Sequence, residues 1–157
     1  MSDETLYSGK IFDVVKRDGL DVVKHGPAVA IVAVDRTSHV TLVRQDRPAA
    51  GGKLLELPAG GVEDGESPLE TAQRELREET GLHGGEWVEV ATFFTTPGFV
   101  DEKMHLFIAT GLEQGEASPE GTEDIELVRV PLDDVPGLVE EIEDGKTLVG
   151  LLFLLRR

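Results

Sequence analysis

Short hydrophobic runs separated by turn-forming residues divide the chain into predicted strands. Residues 11–15 and 20–23 form two such runs, and Arg17-Asp18-Gly19 between them predicts a hairpin. Residues 28–34 are almost continuously Ala, Val and Ile, which is typical of a strand buried on both faces. Further strands are predicted over residues 40–45, 54–57, 87–95, 103–110 and 125–130.

The clearest predicted helix begins after Ser67. Ser67-Pro68-Leu69-Glu70 combines an N-cap serine, a proline at the first helical position and a glutamate three residues after the cap, which together predict a capping box. Gly81 is the glycine expected just past the end of this helix. Two more helices are predicted over residues 131–144 and 147–155, so the fold class is mixed α/β or α+β.

The charge of the chain narrows the classes of partner. Over 157 residues, 15 Lys and Arg oppose 31 Asp and Glu, which gives a net charge of −16. DNA and anionic membranes attract clustered Lys and Arg, so we expect no nucleic acid and no membrane as partner. A phosphorylated small substrate would need local positive charge, either from a few Arg or from a divalent metal ion.

Location is inferred from what the sequence lacks. There is no cysteine, which excludes disulfides and thiolate zinc sites. Residues 1–10 include Asp3 and Glu4 and contain no apolar signal segment. The longest apolar stretch, residues 148–155, is shorter than the ~20 residues that a membrane helix needs. We therefore expect a cytoplasmic protein.

Three glutamates of the first helix share one face. Glu75, Glu78 and Glu79 stand at positions i, i+3 and i+4, where like charges repel each other unless a cation lies over them. Oxygen-rich acidic clusters suit Mg²⁺ or Mn²⁺, which also bind phosphates. The alternative for such a pattern taken alone is a solvated acidic helix face.

The residues around this cluster match a family signature. Gly60 is followed after five residues by Glu66, and seven more residues lead to Arg74-Glu75-Leu76. After single intervening residues come Glu78-Glu79 and then Gly81-Leu82. The chain thus resembles Nudix hydrolases, whose Nudix box has these residues at these spacings. The resemblance implies a Nudix α/β/α sandwich with a mixed sheet, and it makes Glu66 and Arg74 a structural pair that clamps loop to helix.

The resemblance also implies a metal site. In similar enzymes the second and last glutamates of the helix segment hold catalytic metal, which corresponds to Glu75 and Glu79 here, with Glu78 assisting directly or through water. A backbone carbonyl of the preceding loop contributes as well, and the matching position is Ala59. Mg²⁺ is the expected cofactor, with Mn²⁺ as the alternative.

Positions outside the box resemble the ADP-ribose pyrophosphatase subgroup. Pro97 lies at an offset of 16 residues from Gly81, which matches that subgroup's proline. Residues 96–103, residues 43–48 with 57–60, and residues 144–147 resemble the subgroup as well. The implied reaction is divalent-metal-dependent hydrolysis of ADP-ribose to AMP and ribose 5-phosphate.

Candidate substrate and base residues follow from the same resemblance. Arg47 is the first candidate for a phosphate contact, and Arg44 is the second. The general base is expected on the loop over residues 114–124, with Glu123 preferred over Glu120. The residues expected to border the nucleoside or the terminal ribose are Pro97, Gly98, Phe99 and Glu102.

Two other functions and an assembly state complete the expectations. One alternative is a Nudix pyrophosphatase for another nucleoside diphosphate derivative or an oxidised nucleotide. The other is a non-catalytic ADP-ribose-binding module, against which the intact set of Glu75, Glu78 and Glu79 argues. Similar enzymes are usually homodimers, so residues 1–24 are expected to form dimer-forming N-terminal strands ahead of a Nudix hydrolase domain over residues 25–157.

Overall fold

The computed structural model describes residues 3–118 and 124–157. In this part of the chain there are eleven β-strands, three α-helices and three short 3₁₀ helices. The strands are β1 Glu4–Ser8, β2 Asp13–Arg17, β3 Leu20–Lys24, β4 Ala28–Asp35, β5 His39–Arg47, β6 Gly52–Glu56, β7 Ala59–Gly61, β8 Leu82–His83, β9 Glu86–Phe94, β10 Lys103–Gln114 and β11 Glu126–Pro131. The α-helices are α1 Pro68–Thr80, α2 Val135–Leu138 and α3 Gly145–Leu155, and the 3₁₀ helices are Pro48–Ala50, Leu132–Asp134 and Val139–Glu141.

The strands of the described segments form two sheets. Strands β1, β2 and β3 make a small antiparallel sheet at the N-terminus. The large sheet has the order β11-β5-β4-β10-β8, and β6, β7 and β9 pair with β5, β4 and β10 respectively. Strands β4 and β10 run parallel, whereas the other pairs of the large sheet are antiparallel. The predicted mixed sheet is therefore confirmed.

Strand β4 explains why the large sheet has helices on both faces. Its alternate residues Ala30 and Val32 belong to one buried cluster, which includes Leu151 of α3. Val29 and Ile31 point the other way, into a second buried cluster. That second cluster includes Leu76 of α1. Because strand side chains alternate between faces, one continuous aliphatic run supplies both cores of an α/β/α sandwich.

Helix α1 begins and ends where the sequence predicts. The Ser67 Oγ accepts a hydrogen bond from the Glu70 backbone N–H at 3.3 Å, and Glu70 Oε2 accepts one from the Ser67 N–H at 2.8 Å. Gly81 follows the helix with a φ of 77°, a left-handed conformation that favours glycine. Its N–H donates to the Arg77 carbonyl at 2.9 Å.

Four elements differ from the sequence-based predictions. Strands β1 and β8 are additional, and the segment expected to be a loop after residue 58 contains β7, which pairs with β4. The single helix predicted over residues 131–144 was wrong, because only α2 and two 3₁₀ turns form there. Pro136 lacks the N–H that a continuous helix needs, and Gly137 next to it weakens helix formation.

The small N-terminal sheet is attached to the turn that precedes β10. The Val23 N–H donates to the Phe99 carbonyl at 2.8 Å, and the Asp101 N–H donates to the Val23 carbonyl at 3.1 Å. The Oδ2 atom of Asp101 also lies 3.6 Å from Arg17 Nη1. None of the helices in the described ranges is long and apolar enough to cross a membrane.

Candidate active site

One large cleft brings together residues from both halves of the chain. It has a volume of about 950 Å³, at the upper end of the range typical of small-molecule sites. Helix α1, strands β5, β7 and β9 and the start of α3 all contribute to its wall. Residues that line it include Ile11, His25, Gln45, Arg47, Ala59, Gly60, Arg74, Glu75, Glu78, Glu79, Phe93, Phe94, Thr96, Glu102 and Lys146.

Acidic side chains outnumber basic ones around this cleft. Among the described residues that line it, six are Asp or Glu and three are Lys or Arg. Since the whole chain carries a net charge of −16, the acidic part of the cleft would repel an anionic ligand unless a bound cation intervened, and an anion would be attracted only beside the basic side chains. The acidic residues are Glu63, Glu75, Glu78, Glu79, Glu102 and Asp144, and the basic residues are Arg47, Arg74 and Lys146.

Arg74 joins the loop before α1 to the acidic face of that helix. Its Nε and Nη2 donate to Glu66 Oε1 and Oε2 at 2.9 and 3.0 Å, the forked geometry of a strong ion pair. Its Nη1 donates to Glu75 Oε1 at 3.0 Å and to Glu78 Oε2 at 3.1 Å. The hydrogen bonds from Arg74 lower the pKa of Glu66, and a hydrogen bond from Thr71 lowers it further. In turn, the hydrogen bonds to the Glu66 carboxylate raise the pKa of Arg74.

Gly60 allows β7 to approach the acidic face of α1 closely. A methyl group at this position would lie 2.6 Å from Glu75 Cγ and closer still to the carboxyl group. Any larger residue would therefore push Glu75 away from the strand. The backbone of Ala59, next to Gly60, is held by pairing with Ala30 of β4. The carbonyl-bearing strand and the carboxylate-bearing helix thus meet at this glycine.

A buried carboxylate holds two of the basic side chains of the cleft wall. Glu56 is 1% exposed and accepts hydrogen bonds from Arg47 Nε and Nη2 at 2.7 and 2.9 Å. Lys146 Nζ donates to Glu56 Oε2 at 2.6 Å and to Asp144 Oδ1 at 2.9 Å. Burial opposes ionisation of Glu56, but the hydrogen bonds from Arg47 and Lys146 outweigh it and lower the pKa of Glu56.

Most of the chain, including most of the residues that line the cleft, matches a known family. The family model described as the NUDIX domain matches residues 24–148. The chain belongs to the Nudix family. The Nudix resemblance predicted from residues 60–82 is thereby confirmed.

Relatives of known description agree with this Nudix assignment. An ADP-ribose pyrophosphatase from Bacillus subtilis (strain 168) is 36% identical over 167 residues, which cover 98% of this chain and 90% of the relative. An ADP-ribose pyrophosphatase from Mycobacterium tuberculosis is 44% identical over 124 residues, which cover 73% of this chain and 60% of the relative. A solved structure described as an ADP compounds hydrolase has a TM-score of 0.79 and 25% identity, with 99% of this chain and 90% of that chain covered.

The donor chemistry of the Nudix helix fits a hard divalent cation. Glu75, Glu78, Glu79 and the backbone of Ala59 line the same cleft, and carboxylate and carbonyl oxygens are the ligands that Mg²⁺ and Mn²⁺ prefer. In the arrangement described, Arg74 bridges Glu75 and Glu78. Within residues 3–118 and 124–157 no three His, Asp or Glu side chains already surround one metal position. A bound metal would therefore require the glutamate side chains to shift from the arrangement described.

The two arginines predicted to contact phosphate lie on opposite sides of the Nudix sheet. Arg47 lines the large cleft together with Gln45, two residues earlier in β5. Arg44 instead lines a small depression that includes Leu138, and its Nε lies 3.7 Å from Glu126 Oε2. Alternation along β5 produces this separation, because residues three apart in a strand point to opposite faces.

The predicted ribose-side residues are divided in a similar way. Glu102 lines the cleft, where its Oε2 accepts a hydrogen bond from Thr95 Oγ1 at 2.7 Å. Phe99 is exposed, and its carbonyl holds the N-terminal sheet through Val23. Pro97, Gly98 and Phe99 form the turn beside the cleft and are not among the described residues that line it.

The predicted general base lies in the part of the chain without a description. Glu120 and Glu123 both fall within residues 119–123, outside the described residues. The residue just before them, Ser118, donates its backbone N–H to the Glu78 carbonyl at 3.1 Å. Glu56 and Lys146, by contrast, were missed as site residues, because they lie far apart in the sequence and only the fold joins them.

Proposed function

We propose that the protein hydrolyses the diphosphate bond of ADP-ribose to give AMP and ribose 5-phosphate. Water adds its oxygen to one phosphorus, the bridging P–O bond breaks, and the bridging oxygen leaves with the other phosphate. The observation that supports this best is the shared cleft, in which the acidic face of α1 and the Arg47 guanidinium line one cavity. The similarity to two ADP-ribose pyrophosphatases supports this choice of nucleoside diphosphate sugar.

We propose Mg²⁺, or alternatively Mn²⁺, as the cofactor. Its ligands would be Glu75, Glu79 and the Ala59 carbonyl, with Glu78 assisting directly or through water. When bound, the metal would supply a Lewis acid that polarises the diphosphate and lowers the pKa of bound water. Arg74 would hold the glutamates in position, and Glu66 would orient Arg74 through their two hydrogen bonds.

The substrate contacts would be distributed around the rim of the cleft. Arg47 is proposed to donate hydrogen bonds to the phosphates, whereas the position of Arg44 makes it a weaker candidate. Glu102 is proposed to accept hydrogen bonds from ribose hydroxyls. Pro97, Gly98 and Phe99 are proposed to act through the shape of the turn that places Thr96 and Glu102.

The general base is proposed to be Glu123, with Glu120 as the second candidate. Either would remove a proton from the attacking water if its loop closed over the substrate. The hydrogen bond from Ser118 to the Glu78 carbonyl supports this, because it starts that segment beside the metal-binding helix. A loss of activity in Glu123→Gln but not in Glu120→Gln would assign the base, and the opposite pattern would reverse the assignment.

We also propose a homodimer that functions in the cytoplasm on small nucleotides, with neither nucleic acid nor membrane as partner. Residues 1–24 would form the dimer contact, and residues 25–157 would form the catalytic domain. Exposed hydrophobic side chains on the N-terminal sheet, such as Tyr7 and Leu20, support an interface there.

The direct test is AMP release from a substrate panel in the presence of Mg²⁺ or Mn²⁺. The panel contains ADP-ribose, other nucleoside diphosphate sugars, NADH, diadenosine polyphosphates and 8-oxo-dGTP. We expect ADP-ribose to have the highest kcat/KM, and we expect Glu79→Gln to lose activity by more than about a hundredfold. Glu140→Gln removes an exposed carboxylate outside the cleft and should retain full activity.

Each alternative predicts its own result in this assay. A higher kcat/KM for another substrate would keep the pyrophosphatase chemistry and assign a different nucleoside diphosphate derivative or oxidised nucleotide. Binding of ADP-ribose without cleavage of any substrate would instead indicate a non-catalytic binding module.

A further inference from the structure

Glu56 is the most deeply buried charged residue in the part of the chain that the structure describes. It is 1% exposed, yet it faces two cationic groups, Arg47 and Lys146, that line the cleft. A buried carboxylate is costly, and an ion pair in a protein interior is often no more stabilising than hydrophobic residues of similar volume. Stability alone therefore gives little reason for a charged group at this position.

The hydrogen bonds of the two cations leave donors for a ligand. An arginine side chain has five N–H groups, and Arg47 uses its Nε and one Nη2 hydrogen on Glu56. A lysine ammonium has three, and Lys146 uses two of them on Glu56 and Asp144. Arg47 is 43% exposed, so its remaining N–H groups are accessible from the cleft.

Both cations are fixed from below by one carboxyl group. Glu56 Oε2 accepts hydrogen bonds from Arg47 Nη2 at 2.9 Å and from Lys146 Nζ at 2.6 Å, which places the two nitrogens side by side. The backbone near each end is also held, because the Leu57 N–H donates to Thr147 Oγ1 at 2.8 Å. Helix α3 and strand β6 are thus tied together immediately beneath the pair.

We propose that Glu56 is a positioning residue that holds Arg47 and Lys146 as a cationic pair for the two phosphates of the substrate. The proposal rests on the proposed function, because it assigns the pair to a nucleoside diphosphate. Lys146 is then a phosphate-binding residue, and the segment Asp144–Lys146 is part of the substrate site.

The charge of the cleft explains why such positioning matters. Without Glu56, the carboxylates of α1 would attract the Lys146 ammonium away from the phosphates, because its four-carbon stem rotates readily. A preorganised pair does not lose this side-chain freedom when the substrate binds. The pKa of Arg47 is raised mainly by its hydrogen bonds to Glu56, and the charges of Asp144 and Glu79 raise it further.

The test measures binding and turnover separately. Isothermal titration calorimetry with inorganic diphosphate, in metal-free buffer at moderate ionic strength that screens the net negative charge of the chain, reports the cationic pair without metal or catalysis. We expect Glu56→Gln and Lys146→Met each to weaken diphosphate binding by about tenfold. For ADP-ribose with Mg²⁺ we expect KM to rise similarly while kcat changes much less, because ground-state contacts are lost.

A matched control separates positioning from general stability. Asp35→Asn disrupts another carboxylate paired with an arginine, Arg129, outside the cleft, and it should leave diphosphate affinity unchanged. In the double variant, Glu56→Gln should have a smaller further effect once Lys146→Met is present, because only the hold of Glu56 on Arg47 is then left to lose. Thermal unfolding confirms that each variant compared is folded.

The outcomes distinguish this proposal from the proposed function. Diphosphate affinity equal to the wild type in folded Glu56→Gln, or in Lys146→Met if Glu56→Gln does not fold, would overturn the cationic pair. Absence of diphosphate binding by the wild type would overturn it as well. A wild type that binds diphosphate through the pair but cleaves no ADP-ribose would refute the proposed function alone.

Discussion

Arg74 and Glu66 are joined by two parallel hydrogen bonds, with Arg74 Nε 2.9 Å from Glu66 Oε1 and Arg74 Nη2 3.0 Å from Glu66 Oε2. The remaining nitrogen of the same guanidinium bridges Glu75 and Glu78. The orientation of the acidic helix face is therefore tied to a residue in the preceding loop. Glu66 fixes the orientation of the Arg74 guanidinium, and Arg74 in turn holds two of the carboxylates proposed to bind metal, Glu75 and Glu78.

Replacing Glu66 should impair catalysis more than folding. In Glu66→Gln, Arg74 loses its charged partner and its hold on Glu75 and Glu78 loosens, so we expect kcat/KM to fall by about tenfold or more. In steady-state assays over a range of Mg²⁺ concentrations, we expect the variant to need more Mg²⁺ than the wild type for half-maximal activity. Glu113→Gln, which removes the exposed ion pair with Arg36, is the matched control. Equal losses in both variants would contradict the positioning role.

A methyl group at Gly60 should displace Glu75. The close contact with the Glu75 side chain predicts that Gly60→Ala loses at least about tenfold in kcat/KM because a proposed metal ligand moves. Gly52→Ala is the control, since a Cβ there meets nothing within 4 Å, its φ is not positive and it does not line the cleft. Activity and thermal unfolding of the two variants should be measured together. If they were equally active, the close approach would have no role in catalysis.

Asp35 should make stability depend on pH in the acid range. Its pKa is lowered from 3.8 to about 2, since hydrogen bonds from Thr37, Arg129 and His39 outweigh the opposing effect of burial. The ionised form therefore contributes about 2 kcal/mol to the free energy of unfolding above pH 4, and this contribution is lost as the pH falls toward about 2.

Denaturant unfolding of wild type and Asp35→Asn would check this pH dependence. The stability difference should be largest near pH 7 and should shrink below pH 4, because the asparagine does not titrate. A difference that stayed constant across that range would show that protonation of Asp35 does not contribute.

Deleting residues 1–24 should weaken the proposed dimer and raise KM. The deletion removes Ile11 from the cleft wall and the contacts of Val23 with the turn at Phe99 and Asp101. Analytical ultracentrifugation would measure the dimer, and steady-state kinetics with ADP-ribose would measure KM. A truncated protein that remained dimeric with an unchanged KM would rule out this role of the N-terminal strands.

The sequence predicted the local features whose causes are local. The two ends of α1 at Ser67 and Gly81 were predicted correctly, because capping and a left-handed glycine depend only on nearby residues. The aliphatic run of β4 predicted a strand covered on both faces. Strand β1 was missed because each of its five residues is exposed, so no buried face leaves a pattern in the sequence.

The site was predicted only in part, for a related reason. The Nudix box concentrates Glu75, Glu78 and Glu79 in one short helix, whereas Glu56 and Lys146 meet only through the packing of α3 on the sheet. The separation of Arg44 from Arg47 was not evident from the sequence, because the predicted strand ended at residue 45. Strand β5 extends to Arg47, so alternation along it places the two arginines on opposite faces.

The parallel pairing of β4 with β10 has a consequence for how the protein is made. These strands pair Ala28 with Met104, and Lys146 from the start of α3 also lines the cleft. On the ribosome, the hairpin of β2 and β3 can form early from neighbouring residues. The central sheet must wait for β10, and the part of the cleft wall that contains Lys146 must wait for α3. The cleft described here can therefore be completed only after α3 has been synthesised, long after its Nudix helix.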